Sequence, residues 1–105
     1  MKIEISTGEF IDLTDDQAKT LLRIVSTEEV AGRACRLLYE SNCPQPRRET
    51  ATAEALCRKG LAKRIKKYEP ETNENGRVLT VSVYRATDEG YWQGDALRAY
   101  FRERV

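Results

Sequence analysis

Histidine is absent from this 105-residue chain. That removes Ser/His and Cys/His catalysis, His-ligated zinc and the ordinary pH switch near neutrality. Three cysteines remain, Cys35, Cys43 and Cys57. Their number is odd and their spacing is not that of a metal site, so neither a disulfide framework nor a zinc cage is expected. Cys57, beside Arg58 and Lys59, is the nearest approach to a thiol activated by cations. The carboxylate pairs Asp15/Asp16 and Glu28/Glu29 stand at helix starts, where the positive end of the helix dipole accounts for them. No Gly-rich phosphate loop occurs. The expectation is no enzyme, no cofactor and no bound metal.

The residues that remain chemically informative are cationic. Residues 1–46 hold 5 basic and 8 acidic side chains, and residues 68–105 hold 5 basic and 7 acidic. Between them, residues 47–67 hold 8 basic side chains (Arg47, Arg48, Arg58, Lys59, Lys63, Arg64, Lys66, Lys67) against Glu49 and Glu54. The whole-chain net charge of +1 averages this away. A basic segment between two acidic ones suits a phosphate-bearing partner. It also suits a merely solvated face, since 33% of the chain is charged.

The elements that must position these cations can be read from patterning. Lys2–Ile5 alternates as a short strand, Thr7-Gly8 turns, and Phe10–Leu13 returns. Thr14 and Gln17 form a capping box for a first helix with Ala18, Leu21, Leu22 and Val25 on its apolar face. Ser26 and Glu29 repeat that pattern and predict a second helix, with Val30, Ala34, Leu37 and Leu38 inward and Cys35 beside them. Pro44 and Pro46 stop it. A third helix runs from about Arg48 to Lys59, and Gly60 stands at its C-cap. Leu61–Glu69 and Arg77–Arg85 read as two strands joined through Asn75-Gly76, and Thr87 caps a last helix. The order predicts one α+β domain over 1–105, mainly α. It has a strand and turn over 1–13, three helices over 14–60, a two-stranded β-wing over 61–86 and a C-terminal helix over 87–104: a winged helix-turn-helix.

Two stretches carry a resemblance to a known family. Leu56-Cys57-Arg58-Lys59-Gly60-Leu61-Ala62-Lys63-Arg64 resembles the end of the recognition helix and the start of the wing in MarR-like and PadR-like transcriptional regulators. Tyr84-Arg85-Ala86-Thr87-Asp88-Glu89-Gly90 resembles their wing exit, with Ala86 where leucine is usual. The resemblance implies a third helix in the major groove of double-stranded DNA, with Arg47, Arg48, Thr50, Thr52 and Arg58 toward bases and phosphates. Lys63, Arg64, Lys66 and Lys67 would follow the backbone from the first wing strand. Glu69, Glu71 and Glu74 make the wing tip acidic, leaving Arg77 as its only nearby cation.

The last helix carries Tyr91, Trp92, Leu97, Tyr100 and Phe101, which fit either the core or a homodimer interface of the kind the similar regulators use. The alternative to DNA binding is a winged-helix module that docks on, or inhibits, a protein of a nucleic-acid-handling complex. No apolar run is long enough for a membrane span, and Met1–Ile5 does not open a signal peptide. A cytoplasmic protein with reduced thiols is the expectation.

Overall fold

The computed structural model describes residues 1–40, 48–72, 74–76 and 78–103, and the side chains of all of these except 38–40, 48–49, 66–71 and 78–80. The chain is α+β. Strands β1 (Lys2–Glu4) and β2 (Phe10–Asp12) form an antiparallel hairpin. Helix α1 (Asp15–Ala31) follows, then β3 (Cys35–Glu40), α2 (Arg48–Arg58), β4 (Ala62–Thr72), β5 (Val78–Ala86), α3 (Asp88–Trp92) and α4 (Gly94–Glu103). The second sheet is antiparallel with order β3-β5-β4.

Helix α1 starts where the capping box requires. Thr14 Oγ1 accepts from the Gln17 backbone N–H at 3.1 Å, and Gln17 Oε1 accepts from the Thr14 N–H at 3.1 Å. The helix does not end at Ser26. It runs to Ala31 and closes on Gly32, whose φ of 63° places it in the left-handed region and whose N–H donates to the Glu28 carbonyl. The expected second helix is therefore replaced. Its first part belongs to α1, where Val30 is 88% exposed rather than inward. Its second part is β3, in which Cys35 and Leu37 are buried and Arg36 between them is exposed. That period of two, together with the open hydrogen-bonding edge of β5, decides for strand over helix. The pair β4–β5 is consequently not an isolated two-stranded wing but two-thirds of a sheet with β5 at its centre.

One face of this sheet is covered by α1 and α2; on the other, Arg36, Lys63 and Arg85 are exposed while Val81 is buried. Leu37 of β3, Tyr84 of β5 and Ala62 of β4 join Leu21, Ile24 and Val25 of α1 and Ala53 and Leu56 of α2 in a single core. The expected C-terminal helix is two helices. α3 begins at its predicted cap, where Thr87 Oγ1 accepts from the Gly90 N–H at 3.2 Å. The break falls at Gln93, whose side-chain amide is drawn off to donate to the Glu4 carbonyl at 2.9 Å.

Gly90 is locked in place. A Cβ there would lie 1.9 Å from the Leu61 carbonyl oxygen and 2.9 Å from its carbon, both backbone atoms. Gly90→Ala should cost about 3 kcal/mol through overpacking that no side-chain rotation relieves. A urea titration followed by far-UV circular dichroism measures it; a midpoint equal to wild type would show that α3 can shift without penalty.

Candidate nucleic-acid interface

Helix α2 is built on alanine, with Ala51, Ala53, Ala55 and Leu56 favouring the helical backbone. Its inward row is Thr50, Ala53 and Leu56, all fully buried. Thr50 was expected to face outward toward phosphate. Its spacing of three from Ala53 and six from Leu56 puts it on the core side, and its hydroxyl has no hydrogen-bond partner among the described residues. On the outward side Ala51 and Arg58 are exposed, while Thr52, Glu54 and Ala55 are half-buried. Arg47 lies outside the described residues, as does the side chain of Arg48.

Glu54 organises the junction between α2 and the sheet. Its Oε1 accepts from Arg64 Nη1 at 2.9 Å and from the Tyr84 hydroxyl at 2.7 Å. Arg64 and Tyr84 are direct cross-strand partners of β4 and β5, so both stand on the face that α2 covers. Arg64 is thus neutralised by the helix it was expected to assist. Lys59 is likewise turned inward: its ammonium donates to the Asp12 carbonyl at 2.7 Å and to Gln17 Oε1 at 2.8 Å, tying the end of α2 to the N-terminal hairpin and the cap of α1.

The remaining described cations gather elsewhere. Lys63 of β4 pairs directly with Arg85 of β5, and both are exposed. Arg36 of β3 pairs with Val83 of β5 and is exposed too. These positions alternate with the core-facing ones, so they lie on the open face of the sheet, opposite the helices. Lys66 is the backbone partner of Val83 from the other side; its side chain and that of Lys67 lie outside the described ones, and Arg77 lies outside the described residues altogether. Sequence reasoning missed Arg36 because that segment was assigned to a helix. Arg85 is absent from the sequence-predicted set, although the alternation Ser82–Val83–Tyr84–Arg85 places it on the same face as Val83. At the hairpin tip Glu74, Asn75 and Gly76 are exposed, with Gly76 at φ 76° as an Asn-Gly turn requires.

The aromatic C-terminal set is divided. Leu97 is fully buried within the chain, the core alternative for that residue. Phe101 packs against the core and meets Tyr100 edge-to-face, with ring centroids 5.1 Å apart. The Tyr100 hydroxyl donates to Asp15 Oδ1 at 2.7 Å. Only Tyr91 and Trp92, 43% and 66% exposed, are presented to solvent. They flank a shallow cavity shared with Glu29 and Asp95, and both of those carboxylates bond Arg98.

Cys35 is buried. At Cys57, burial pushes the thiol above its ordinary range and Glu54 adds to the rise, against a smaller opposing effect of Arg64 and Arg58. An activated thiolate needs the opposite balance. Cys43 lies outside the described residues. Among the described residues no cluster of acidic or cysteine side chains could hold a metal ion, and no helix is long and apolar enough to cross a membrane.

No family model matches the chain, and neither a curated protein nor a solved structure is similar to it.

Removing the Glu54 carboxylate leaves the buried Tyr84 hydroxyl without its acceptor. Glu54→Ala should therefore cost about 2 kcal/mol, and Arg64→Ala, which breaks the partly exposed ion pair with Glu54, about 0.5 kcal/mol. Chemical denaturation of both variants gives the comparison; equal losses would mean that the ion pair rather than the tyrosine bond holds the junction.

Proposed function

We propose that this chain is a small winged-helix module that binds double-stranded DNA, the activity of a transcriptional regulator, and that it grips the duplex mainly by its phosphates. The observation carrying the reading is the cation-bearing open face of the sheet, where Lys63 and Arg85 stand side by side with Arg36 on the neighbouring strand. Arg58 adds a cation at the end of α2, just before the chain enters β4. β4 is an edge strand, and α2 packs on the other face of the sheet, so that its outward side is a separate candidate contact. On that side Ala51 and Ala55 are small enough for close approach, but of the side chains expected to read bases, only Thr52 and Arg58 are both described and accessible. Phosphate contacts from Lys and Arg position a protein without reading sequence, and their strength falls steeply with salt. Arg64 takes no part, because Glu54 holds it on the helix-covered face.

The test is a salt titration against random-sequence duplex DNA. Wild type should bind with a log–log slope that becomes shallower by about 2 in the double variant Lys63→Glu/Arg85→Glu, with affinity at least tenfold weaker. Arg64→Ala should keep the wild-type slope. An unchanged slope in the charge-reversed pair would remove the open face from the interface.

A second reading, docking on another protein or on a second copy, has its own observation: the exposed Trp92 and Tyr91 on one short helix. Trp92→Ala should lower the solution mass from dimer to monomer in sedimentation at micromolar concentration while leaving the salt slope per protomer intact. A wild-type protein that sediments as a monomer would leave heterologous docking as the role of that surface.

A further inference from the structure

The acidic segments on either side of the basic run hold a feature of their own. A concave space of about 240 Å³ lies where α1 meets the junction of α3 and α4, lined by Glu29, Tyr91, Trp92, Gly94 and Asp95. Two carboxylates and two aromatic rings line it, and no basic residue is among the described ones that do. Gly94 keeps the space open: a Cβ there would stand 3.2 Å from Val25 Cγ1 and 3.7 Å from Glu29 Oε1. The surroundings share the sign. Between Thr87 and Leu97 the sequence holds Asp88, Glu89 and Asp95 and no basic residue.

Arg98 does not use up this charge. It donates to Glu29 Oε2 and, at 3.4 Å, to Asp95 Oδ1, so a single guanidinium faces two carboxylates. Glu29 Oε1 and Asp95 Oδ2 accept no hydrogen bond among the described residues, and the Tyr91 hydroxyl and Trp92 indole N–H make none there either. The ring faces carry the negative side of the aromatic quadrupole. An anion is therefore repelled by rings and carboxylates alike. A neutral apolar group would cover the rings but strip water from the carboxylate oxygens without replacing it. A cation on an apolar stem satisfies both kinds of group at once. Pockets for drug-sized ligands run upward from roughly 300 Å³, so this space suits one side chain. Arginine suits it better than lysine, because a planar guanidinium stacks on an indole while its edge still bonds a carboxylate. Tryptophan and tyrosine are also the side chains that most often anchor protein interfaces.

We infer that this pocket receives an arginine side chain from a basic segment of another protein, stacked on Trp92 and hydrogen-bonded to Glu29 and Asp95. The inference rests on the docking reading of Tyr91 and Trp92 and gives the partner its chemistry. It does not require duplex binding by the Lys63/Arg85 face, because the negative charge here turns a nucleic-acid backbone away.

Trp92 is the only tryptophan of the chain, so its fluorescence reads the pocket directly. The probe is a short blocked peptide with one central arginine, titrated into the full chain, and it should change the Trp92 emission saturably. The same peptide with citrulline, which keeps the shape of arginine without the charge, should bind about tenfold more weakly. Asp95→Lys should weaken the arginine peptide by a similar factor, while Asp95→Glu and Lys63→Glu/Arg85→Glu should bind it as wild type does. The Asp95 side chain is fully exposed, so both of its variants should keep the wild-type melting curve. Equal binding of the arginine and citrulline peptides, or no saturable change with either, would overturn the inference. A leucine peptide that binds more tightly than the arginine one would overturn the cation and leave the docking reading standing. No response to any of the three peptides, with Trp92→Ala sedimenting as wild type does, would remove both. A wild-type dimer that the arginine peptide dissociates would seat a second copy in the pocket and overturn the choice of a separate partner.

Discussion

The arrangement depends on a clasp between the start of β4 and the start of α3. The Thr87 hydroxyl donates to the Gly60 carbonyl at 2.7 Å and accepts from the Gly90 N–H, while the Thr87 N–H donates to the Leu61 carbonyl at 3.1 Å. Gly60, at φ 77°, supplies the left-handed turn that ends α2, and the Leu61 side chain drops into the core. Next door, the Ala86 N–H donates to Glu28 Oε1 at 2.8 Å, which brings α1 to the same point. Two helices, both strands of the hairpin and the first turn of α3 are thereby fixed to one another through backbone groups. The consequence reaches the surface. Once α2 is held against one face of β4 and β5, Arg64 and Tyr84 are turned toward it and Lys63 and Arg85 are turned away.

That division explains why the cations do not act together. Between Ala62 and Arg64 the alternation is regular, so Lys63 and Arg64 are adjacent in sequence and opposite in direction. Arg64 meets Glu54, and Lys63 meets Arg85. A register shift between Arg64 and Lys66 then makes Lys66 the partner of Val83, so that Lys63 and Lys66 both pair with open-face positions of β5 although two residues separate them. The cationic stretch 47–67 is one run in sequence and at least three environments in space: a helix end turned toward the N-terminal hairpin through Lys59, a helix-covered ion pair at Arg64, and an open sheet face at Lys63.

Local signals with a backbone mechanism were legible in the sequence. The Thr14/Gln17 box, Gly60 and Thr87 act within a turn or two of themselves, and each stands where its chemistry requires. Segment 26–40 supports two readings, because Ala34, Leu37 and Leu38 share a helical face while Cys35 and Leu37 share a strand face. Gly32 is the discriminating residue: a left-handed glycine after Ala31 ends α1 there, so that the residues after it begin a new element. The burial of Thr50 and the convergence of Glu29 with Trp92 and Asp95 depend on which faces meet across the fold, which no single-chain periodicity carries. With β3 misplaced, Arg36 could not be put beside Val83.

The same clasp bears on how far the family resemblance reaches. The residues that carry it, Leu56, Gly60, Leu61, Tyr84, Thr87 and Gly90, are each engaged in burial, a left-handed turn, a cap or a close backbone approach. They are what a helix needs in order to feed a β-hairpin and then a capped helix in minimal space. Leu56, Leu61, Tyr84 and Gly90 among them are buried. Conversely, the exposed Arg36, Arg33 and Arg23 lie outside the stretches that carry the resemblance, and Lys63 enters it only as the basic residue near the end of the first stretch. A likeness built on the first set therefore argues for architecture. The argument for a phosphate-bearing partner rests on Lys63 and Arg36 of the second set, on ammonium and guanidinium groups placed by that architecture and free to differ from any relative that shares the clasp.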